Sequence, residues 1–315
     1  MVVRARHNAH VARVFVSRRL TGDALGRLTA AHHLEVWPGA LPPSPEQLRE
    51  RVADVEGFLC LLTDRIDAEL LDAAPSLKVI ANYAVGTDNI DLEACAARGI
   101  AVGCTPGVLT DATADLTWAL ILAVARRLPV AAAAVRDGEW NTMEPARWLG
   151  MGLAGRTLGV IGAGRIGQAV ARRAAGFGME VILAGRADDP LEVVAASDVI
   201  TLHAPLTEAT RGLIGEQALS RTKPGAILVN TSRGGLVDQE ALADALREGR
   251  LAGAGLDVTD PEPLPPDHPL LEAPNLLVLP HVGSATHDAR QAMTELCVAN
   301  LEAGLAGRPL PYPAT

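Results

Sequence analysis

A glycine-rich turn between a short apolar run and a helical pattern constrains this chain more than any other feature. Thr157 to Ile161 have the composition of a buried strand and lead directly into Gly-Ala-Gly-Arg-Ile-Gly at 162–167. In a strand-turn-helix unit the first glycine permits the tight turn, the second lets a pyrophosphate approach the backbone, and the third lets the helix pack closely. Because a helical pattern (168–178) and a second strand-like run (179–183) follow, we predict a dinucleotide site here rather than a purely structural turn.

Composition favours two α/β domains and a small-molecule ligand. The chain has 315 residues, of which 49% are hydrophobic and only 3% aromatic. Cores built from Ala, Val, Leu and Ile suit parallel sheets flanked by helices, and the length favours two domains. The net charge of -9 argues against nucleic acid and anionic membranes as partners, because both attract basic surfaces.

The cysteines indicate a reducing compartment. Cys60, Cys95, Cys104 and Cys297 are scattered, with neither the paired spacing of a zinc site nor a disulfide framework. The sequence predicts no metal. It also shows no signal segment and no uninterrupted apolar run of about eighteen residues. We therefore expect a cytoplasmic protein.

The first part of the chain predicts a doubly wound parallel sheet. Strand-like and helix-like runs alternate from Arg13 to Gly103. The polar loop 82–91 follows the fourth strand, at the carboxyl edge where open sheets bind ligands. Backbone N–H groups of Val85 and Gly86 could hold a carboxylate there, and the alternative is an ordinary turn in which Asp91 caps the next helix.

A long apolar helix and an irregular arm come next. The helix is predicted over 111–128, ended by Pro129, as a crossover between domains. The arm, within 131–151, carries Trp140 and Trp148, and tryptophans in a partly polar segment favour an interface. We predict a dimer arm, with tryptophans lodged in the chain's own core as the alternative.

Three later strand-like runs end in polar clusters of the kind that carries chemistry. Arg233, Asp257 with Glu262, and His281 follow such runs, so they should converge at one sheet edge. An arginine fork suits a carboxylate and a carbonyl oxygen, and a carboxylate beside an imidazole fixes its tautomer and favours its protonated form. The set is suited to protonating a carbonyl as hydride reaches carbon. Each residue alone also has a structural interpretation, as an ion pair, a loop acid or a helix cap.

These motifs resemble the D-isomer-specific 2-hydroxyacid dehydrogenase family, and within it the glyoxylate/hydroxypyruvate reductases, over nearly the whole chain from about Arg13. The resemblance rests on segments 82–92, 162–167, 229–234, 255–258 with 261–265, and 279–286. It implies two doubly wound parallel-sheet domains: a split flavodoxin-like substrate domain (1–110 and 286–315) and an inserted Rossmann cofactor domain (111–285). It also implies a homodimer and reduction of a small 2-keto acid to the D-2-hydroxy acid.

The resemblance assigns roles residue by residue. Arg233 orients the substrate, His281 is the acid/base and Glu262 supports it. The implied substrate-binding residues are Val85, Gly86, Arg233, His281 and Ser284. The implied cofactor-binding residues are Thr113, Gly162, Gly164, Arg165, Ile166, Gly167, Gly185, Arg186, His203, Ala204, Pro205, Thr231, Ser232, Asp257 and Gly283.

Two alternatives remain open at the level of sequence. One is a different enzyme on the same scaffold, a sugar-acid keto reductase of the 2-ketogluconate type or a phosphite-type dehydrogenase, since substrate-loop geometry decides between them. The other is a nucleotide-sensing module of the corepressor kind, which relatives with an intact Arg-Glu-His set can be. An added binding surface or tail would favour the second, and the sequence ends at Thr315 without one.

The segment 187–196 is shorter than is usual in the family, so a loop and a helix are expected to be trimmed. In NAD sites a carboxylate eighteen to twenty residues past the motif accepts bonds from the ribose hydroxyls. Here Gly185 and Arg186 occupy that place. Glycine leaves room for a 2′-phosphate and arginine pairs with it, so NADPH is expected to be preferred, with NADH possible. Asp188 and Asp189 could instead serve NAD, which is the alternative.

Overall fold

The computed structural model describes residues 10–314 and divides them into two compact units. The described residues up to Leu109, with those from Thr286 onward, form the first unit, and Thr110–Ala285 form the second. Within each of the two sheets, all neighbouring strands pair in parallel. The predicted class, two parallel-sheet α/β domains, is confirmed.

The first unit holds a sheet of five strands in the order β2-β1-β3-β4-β5, which is the flavodoxin-like order. The strands are β1 Arg13–Val16, β2 His33–Val36, β3 Gly57–Cys60, β4 Val79–Asn82 and β5 Ala101–Gly103. All residues of β3 and β4 are buried, as expected for central strands covered on both faces. The carboxyl ends of β1, β3 and β4 therefore lie side by side at one edge.

Three of the four helices between the strands of the first unit begin at polar caps. The four helices are α1 Leu25–Ala31, α2 Pro45–Val52, α3 Ala68–Asp72 and α4 Leu92–Ala97. The helix α1 begins at Ala24 without a side-chain cap. Ser44 and Gln47 form a capping box at α2. Asp67 accepts from Leu70 N–H at α3, and Asp91 accepts from Ala94 N–H at α4.

The second unit is a six-stranded sheet in the order β11-β10-β9-β8-β6-β7. Its helices are α5 Thr110–Ala125, α6 Leu128–Arg136, α7 Arg165–Arg173, α8 Pro190–Ala196, α9 Glu216–Leu219 and α10 Gln239–Arg247. Its strands are β6 Thr157–Ile161, β7 Glu180–Ala184, β8 Val199–Leu202, β9 Ala226–Asn230, β10 Leu251–Leu256 and β11 Leu276–Val278. The last helix, α11 His287–Leu305, belongs to the first unit and packs on β3 and β4.

The structure corrects the predicted long helix at its end. The helix α5 stops at Ala125, Arg127 adopts a left-handed φ of 53°, and α6 starts at Leu128. Pro129 thus begins a helix instead of ending one, because a missing N–H costs nothing in the first turn. Among residues 10–314 no single helix is long and apolar enough to cross a membrane, and only the pair α5 and α6, bent by 62°, passes that test together.

Between β7 and β8 the chain forms one helix and no strand. The helix α8 is present, with Asp189 as its N-cap, so the expected loss of a helix is not what the structure shows. A dinucleotide-binding sheet usually has a third strand outside the second. In the described part of this chain β7 is the outermost strand, and Val181 and Leu183 on it are 39% and 40% exposed.

Candidate active site

The glycine turn has the geometry of a phosphate cradle. Gly162 has a φ of 112°, and a Cβ there would lie 2.4 Å from the carbonyl carbon of His203. A Cβ at Gly167 would lie 1.9 Å from Gly162 O, so α7 can pack closely only with glycine. Gly164 is the N-cap of α7 and gives no side-chain cap, and no heavy atom lies within 4 Å of a Cβ built on it. The first N–H groups of α7 are thus suited to a pyrophosphate.

The first two residues of α7 are Arg165 and Ile166, and their side chains differ in exposure. Arg165 is exposed beside the turn, and Ile166 is half-buried against the apolar core of the second unit. The charged residue is therefore the one of the two available to an anion.

Hydrogen bonds fix the loop after β9. Ser232 Oγ donates to Ala204 O over 2.6 Å, which joins the ends of β8 and β9. The hydroxyl of Thr231 lies 2.9 Å from that of Thr117 in α5. Asn230, fully buried, donates from Nδ2 to Arg233 O (2.8 Å) and accepts from Ser232 N–H (3.0 Å). The backbone that carries Arg233 is thereby held from both sides.

The half-buried Arg233 is placed by its neighbours. Its Nη1 donates to Ser232 O over 2.8 Å. A Cβ at Gly234 would lie 2.0 Å from Thr259 O, so the chain after Arg233 passes directly against the loop that follows β10. The guanidinium therefore emerges at the carboxyl edge of β9 on a restrained backbone.

His281 and Glu262 form the predicted pair. Glu262 Oε1 is hydrogen-bonded to His281 Nδ1. The two side chains are 36% and 27% exposed, so the pair is open to a ligand. His281 has a φ of 53°, an uncommon left-handed conformation for a residue with a side chain.

Asp257 holds the His281 loop. Its carbonyl accepts from His281 N–H over 2.9 Å, and its carboxylate accepts from the N–H groups of Val282 and Gly283, both over 2.7 Å. Burial raises the pKa of the Asp257 carboxyl above its ordinary value, and these two N–H groups act in the opposite direction. A Cβ at Gly283 would lie 3.1 Å from Asp257 Oδ2 and 3.4 Å from Thr113, so three predicted cofactor residues lie together.

The end of β7 carries a carboxylate that does not come from the expected position. Asp188 Oδ2 accepts a hydrogen bond from Gly185 N–H over 2.7 Å, while Arg186 is exposed. Asp189 accepts from Leu191 N–H over 2.9 Å as the cap of α8. Of the two acids, Asp188 therefore lies beside the backbone where a ribose would be bound.

The three predicted cofactor residues after β8, at 203–205, differ in burial. Burial lowers the pKa of His203 to about 4. Its Nε2 is buried and has no hydrogen-bond partner among the described residues. Ala204 is buried and Pro205 is exposed. His203 is therefore a neutral imidazole at neutral pH.

The predicted carboxylate-binding groups belong to the first unit. Val85 is 41% exposed and Gly86 is half-buried. No atom of the described chain accepts from either N–H, whereas Gly86 O accepts from Asn82 Nδ2 over 2.8 Å. Asp91 does cap α4, as the alternative interpretation holds, but the cap leaves Val85 and Gly86 unused.

Two asparagines that support the site were not predicted from the sequence. Asn82 and Asn230 each end a fully buried strand, and both are 0% exposed. A polar residue closing an apolar strand is a usable signal, because burying an amide is costly unless it is hydrogen-bonded. Ser284, the remaining predicted substrate residue, is half-buried after Gly283.

Comparison with known proteins identifies the family of this chain. The family model "D-isomer specific 2-hydroxyacid dehydrogenase, NAD binding domain" matches residues 118–283. A glyoxylate reductase of Korarchaeum cryptofilum is 48% identical over 303 residues, 92% of this chain and 91% of its own length. The chain therefore belongs to the D-isomer-specific 2-hydroxyacid dehydrogenase family, and it is an oxidoreductase with a nicotinamide-binding domain.

Solved structures extend the comparison to the fold. A protein from Thermus thermophilus is 52% identical with a TM-score of 0.91, over 96% of this chain and 100% of its own. An NADPH-dependent glyoxylate/hydroxypyruvate reductase from Sinorhizobium meliloti, in complex with NADP and malonate, is 34% identical with a TM-score of 0.84, over 96% of this chain and 97% of its own. Both units are thus covered by the similarity.

Proposed function

We propose that this enzyme reduces small 2-keto acids of the glyoxylate/hydroxypyruvate type to D-2-hydroxy acids with NADPH. The observation that carries the proposal is the hydrogen bond between His281 Nδ1 and Glu262 Oε1, on the same sheet edge as the glycine turn. Relatives named glyoxylate reductase support the substrate class.

Glu262 and His281 supply the proton. Because Glu262 engages Nδ1, Nε2 is the ring nitrogen left to give a proton to the substrate oxygen. The nicotinamide, when bound, supplies the hydride that reaches the carbonyl carbon. Glu262, bonded to Nδ1, fixes the orientation and the tautomer of the ring.

Arg233, Val85, Gly86 and Ser284 orient the substrate. The guanidinium of Arg233 can bond to the carboxylate and the carbonyl oxygen together, and its charge does not depend on pH. The N–H groups of Val85 and Gly86 are proposed to bind the substrate carboxylate. Residues 1–110 and 286–315 would then be the substrate domain, and 111–285 the cofactor domain.

The preference for NADPH rests on Arg186. Its guanidinium is exposed next to Gly185, which has no side chain to occupy the space of a 2′-phosphate. Asp188 opposes that phosphate, because its carboxylate is bonded to Gly185 N–H. We therefore propose a moderate preference, with NADH also accepted.

The arm favours a homodimer, and we propose one in the cytoplasm. Trp140, Met143 and Leu149 are 64%, 80% and 66% exposed, so the tryptophan at 140 is not lodged in the chain's own core. The guanidinium carbon of Arg147 lies 4.4 Å from the ring centroid of Trp148, the second tryptophan of the arm. Clustered exposed apolar side chains are typical of an interface.

A substrate panel tests the proposed function. Glyoxylate, hydroxypyruvate, pyruvate and 2-ketogluconate are each offered with NADH and with NADPH, and loss of nicotinamide absorbance is followed. Highest kcat/KM for glyoxylate or hydroxypyruvate is expected. Turnover of 2-ketogluconate alone would favour the sugar-acid alternative, and no turnover of any keto acid would refute the proposal.

A further inference from the structure

The side chain of Asn82 lies directly beneath the proposed carboxylate-binding loop of the first unit. Its Nδ2 donates to Gly86 O over 2.8 Å, and the residue is 0% exposed. Its Oδ1 accepts from Cys60 Sγ over 3.4 Å. Asn82 also exchanges longer bonds of 3.3 and 3.5 Å with the amide of Asn89. Both ends of the amide are therefore used, and its orientation is fixed.

The amide of Asn89 connects this contact to the neighbouring strand. Its Nδ2 donates to Leu61 O and to Asp64 O, each over 3.1 Å. The carboxylate of Asp64 is buried and accepts from Leu61 N–H over 2.8 Å and from Ser17 Oγ. A network of hydrogen bonds thus ties the ends of β1 and β3 to the loop after β4.

A charge partner anchors the far end of the network. Arg18 Nη1 lies 3.6 Å from Asp64 Oδ1, and Arg18 Nη2 donates to Thr63 Oγ1 over 3.0 Å. A buried carboxylate is stable only when it is paired and hydrogen-bonded, as here. The base of the loop therefore contains a connected cluster of polar side chains.

The hydrogen bond from Asn82 restricts the backbone at Gly86. A glycine has no side chain to restrict its backbone, so its N–H can take several directions unless another group fixes the adjoining peptides. Peptide units are planar, so a bond to Gly86 O fixes the plane of the peptide that follows Gly86. That peptide carries the N–H of Thr87, so the bond anchors the chain directly after Gly86. The N–H of Gly86 is then separated from an anchored peptide only by the backbone rotations of Gly86 itself.

We infer that Asn82 is a positioning residue for the substrate carboxylate, acting through Gly86, with Asn89 holding Asn82 in place. The inference rests on the proposed function, since the carboxylate belongs to a 2-keto acid. A neutral amide suits this role, because an aspartate at position 82 would place an acceptor against Gly86 O and a negative charge near the substrate.

The experiment compares Asn82→Ala with Asn300→Ala. Asn300 is a matched control: it is also 0% exposed in the first unit, but it bonds to Cys104 O and to the backbone of Tyr312. Asn82→Ala should raise KM for glyoxylate about tenfold or more, with kcat within about threefold. The Kd of NADPH, measured by nucleotide fluorescence, should be unchanged. The Kd of oxamate for the NADH-bound enzyme should rise with KM.

The control separates positioning from folding. Asn300→Ala should lower Tm and leave KM for glyoxylate and Kd for oxamate within about twofold. If Asn82→Ala lowers Tm but changes neither constant, Asn82 is only structural and the inference is overturned. Should Asn82→Ala not fold, Asn89→Ala, at a half-buried position, serves instead: a raised oxamate Kd supports the inference, and an unchanged one overturns it.

The wild-type enzyme separates the two proposals. If it turns over no keto acid, the proposed function fails before any variant is made. If it reduces glyoxylate and Asn82→Ala keeps the wild-type KM, only the role of Asn82 fails.

Discussion

His281 can be removed without touching the glycine turn, so its replacement tests chemistry alone. His281→Gln should keep nucleotide binding and lose turnover by about 10²- to 10⁴-fold, the usual contribution of a general acid. The measurement is kcat with saturating glyoxylate and NADPH, alongside nucleotide fluorescence. A conservative exchange at the exposed His287 is the control. Near-normal turnover would contradict the role given to His281.

If NADPH binds as proposed, Arg186 would attract its 2′-phosphate and Asp188 would repel it. Arg186→Ala should raise KM for NADPH about tenfold, near 1.4 kcal/mol, and leave KM for NADH nearly unchanged. Asp188→Asn should improve NADPH relative to NADH, whereas Asp189→Asn should affect only the cap of α8. Equal losses with both cofactors in Arg186→Ala would mean that Arg186 only stacks on adenine.

His203 should make the enzyme sensitive to acid. Burial lowers its pKa to about 4, while a histidine in the unfolded chain titrates near 6.5. As pH falls, the unfolded chain takes up the proton first. The stabilisation is thus complete above about pH 6.5 and is lost as pH falls towards 4, at most about 3 kcal/mol.

Urea unfolding at pH 7 and pH 5 measures this dependence. Between pH 7 and pH 5 the unfolding free energy of the wild type should fall more than that of His203→Leu, because only the wild type titrates at this site. His287→Leu, at an exposed position, should show no such pH-dependent difference. Parallel pH profiles for wild type and His203→Leu would rule out a buried neutral imidazole.

At the scale of elements, α5 is the support of the second sheet. It packs against β9, β10 and α7. Trp118 on α5 is 4% exposed, stacks on Phe177 at 4.3 Å and donates to Val170 O over 3.0 Å. Arg173 of α7 pairs with Asp111 and Asp115 at the helix surface, where such pairs add little.

Trp118→Ala should therefore destabilise the protein by about 3–5 kcal/mol, because it leaves a cavity and an unpaired carbonyl. Urea denaturation measures the change in unfolding free energy. Trp140→Ala, at an exposed position, should cost under about 1 kcal/mol under conditions where the protein is monomeric. A cost below about 1 kcal/mol for Trp118→Ala would show that α5 packs less closely than the structure indicates.

Element existence followed from pattern, whereas element boundaries and sheet edges did not. The alternation of apolar runs predicted the strands and, over residues 13–103, the order of strand and helix, because period and length are local properties. The helices α9 and α10 were not predicted. Pro129 was misplaced because a proline can end one helix or begin the next, and the choice depends on how Arg127 turns the chain. That β7 forms the edge of the second sheet was not predicted, since which strand forms the edge depends on pairing across the whole sheet.

For the whole molecule, the sequence located Arg233, Glu262 and His281 because each follows an apolar strand, and parallel strands bring such residues to one edge. It could not locate Asn82 or Asn230, whose roles depend on the path of the loops above them. Nor could it choose between Asp188 and Asp189, because both follow Arg186 and only backbone geometry separates the ribose side from the helix cap.

The exposed apolar side chains of the arm predict that the whole molecule forms a homodimer. Trp140, at 64% exposure, should become buried in a homodimer, so Trp140→Asp would place a charge in an apolar interface. We expect the native protein to be a dimer by light scattering at micromolar concentration and Trp140→Asp, or a charge at Trp148, to shift it towards monomer.

Leu41→Asp is the matched control, because Leu41 is 78% exposed but lies in the first unit, outside the arm. It should leave the dimer intact, since a charge at a solvated position disturbs no buried surface. A monomeric native protein would refute the dimer arm. Equal dissociation by Leu41→Asp and Trp140→Asp would place the interface beyond the arm, because only an extended contact would be weakened from both positions.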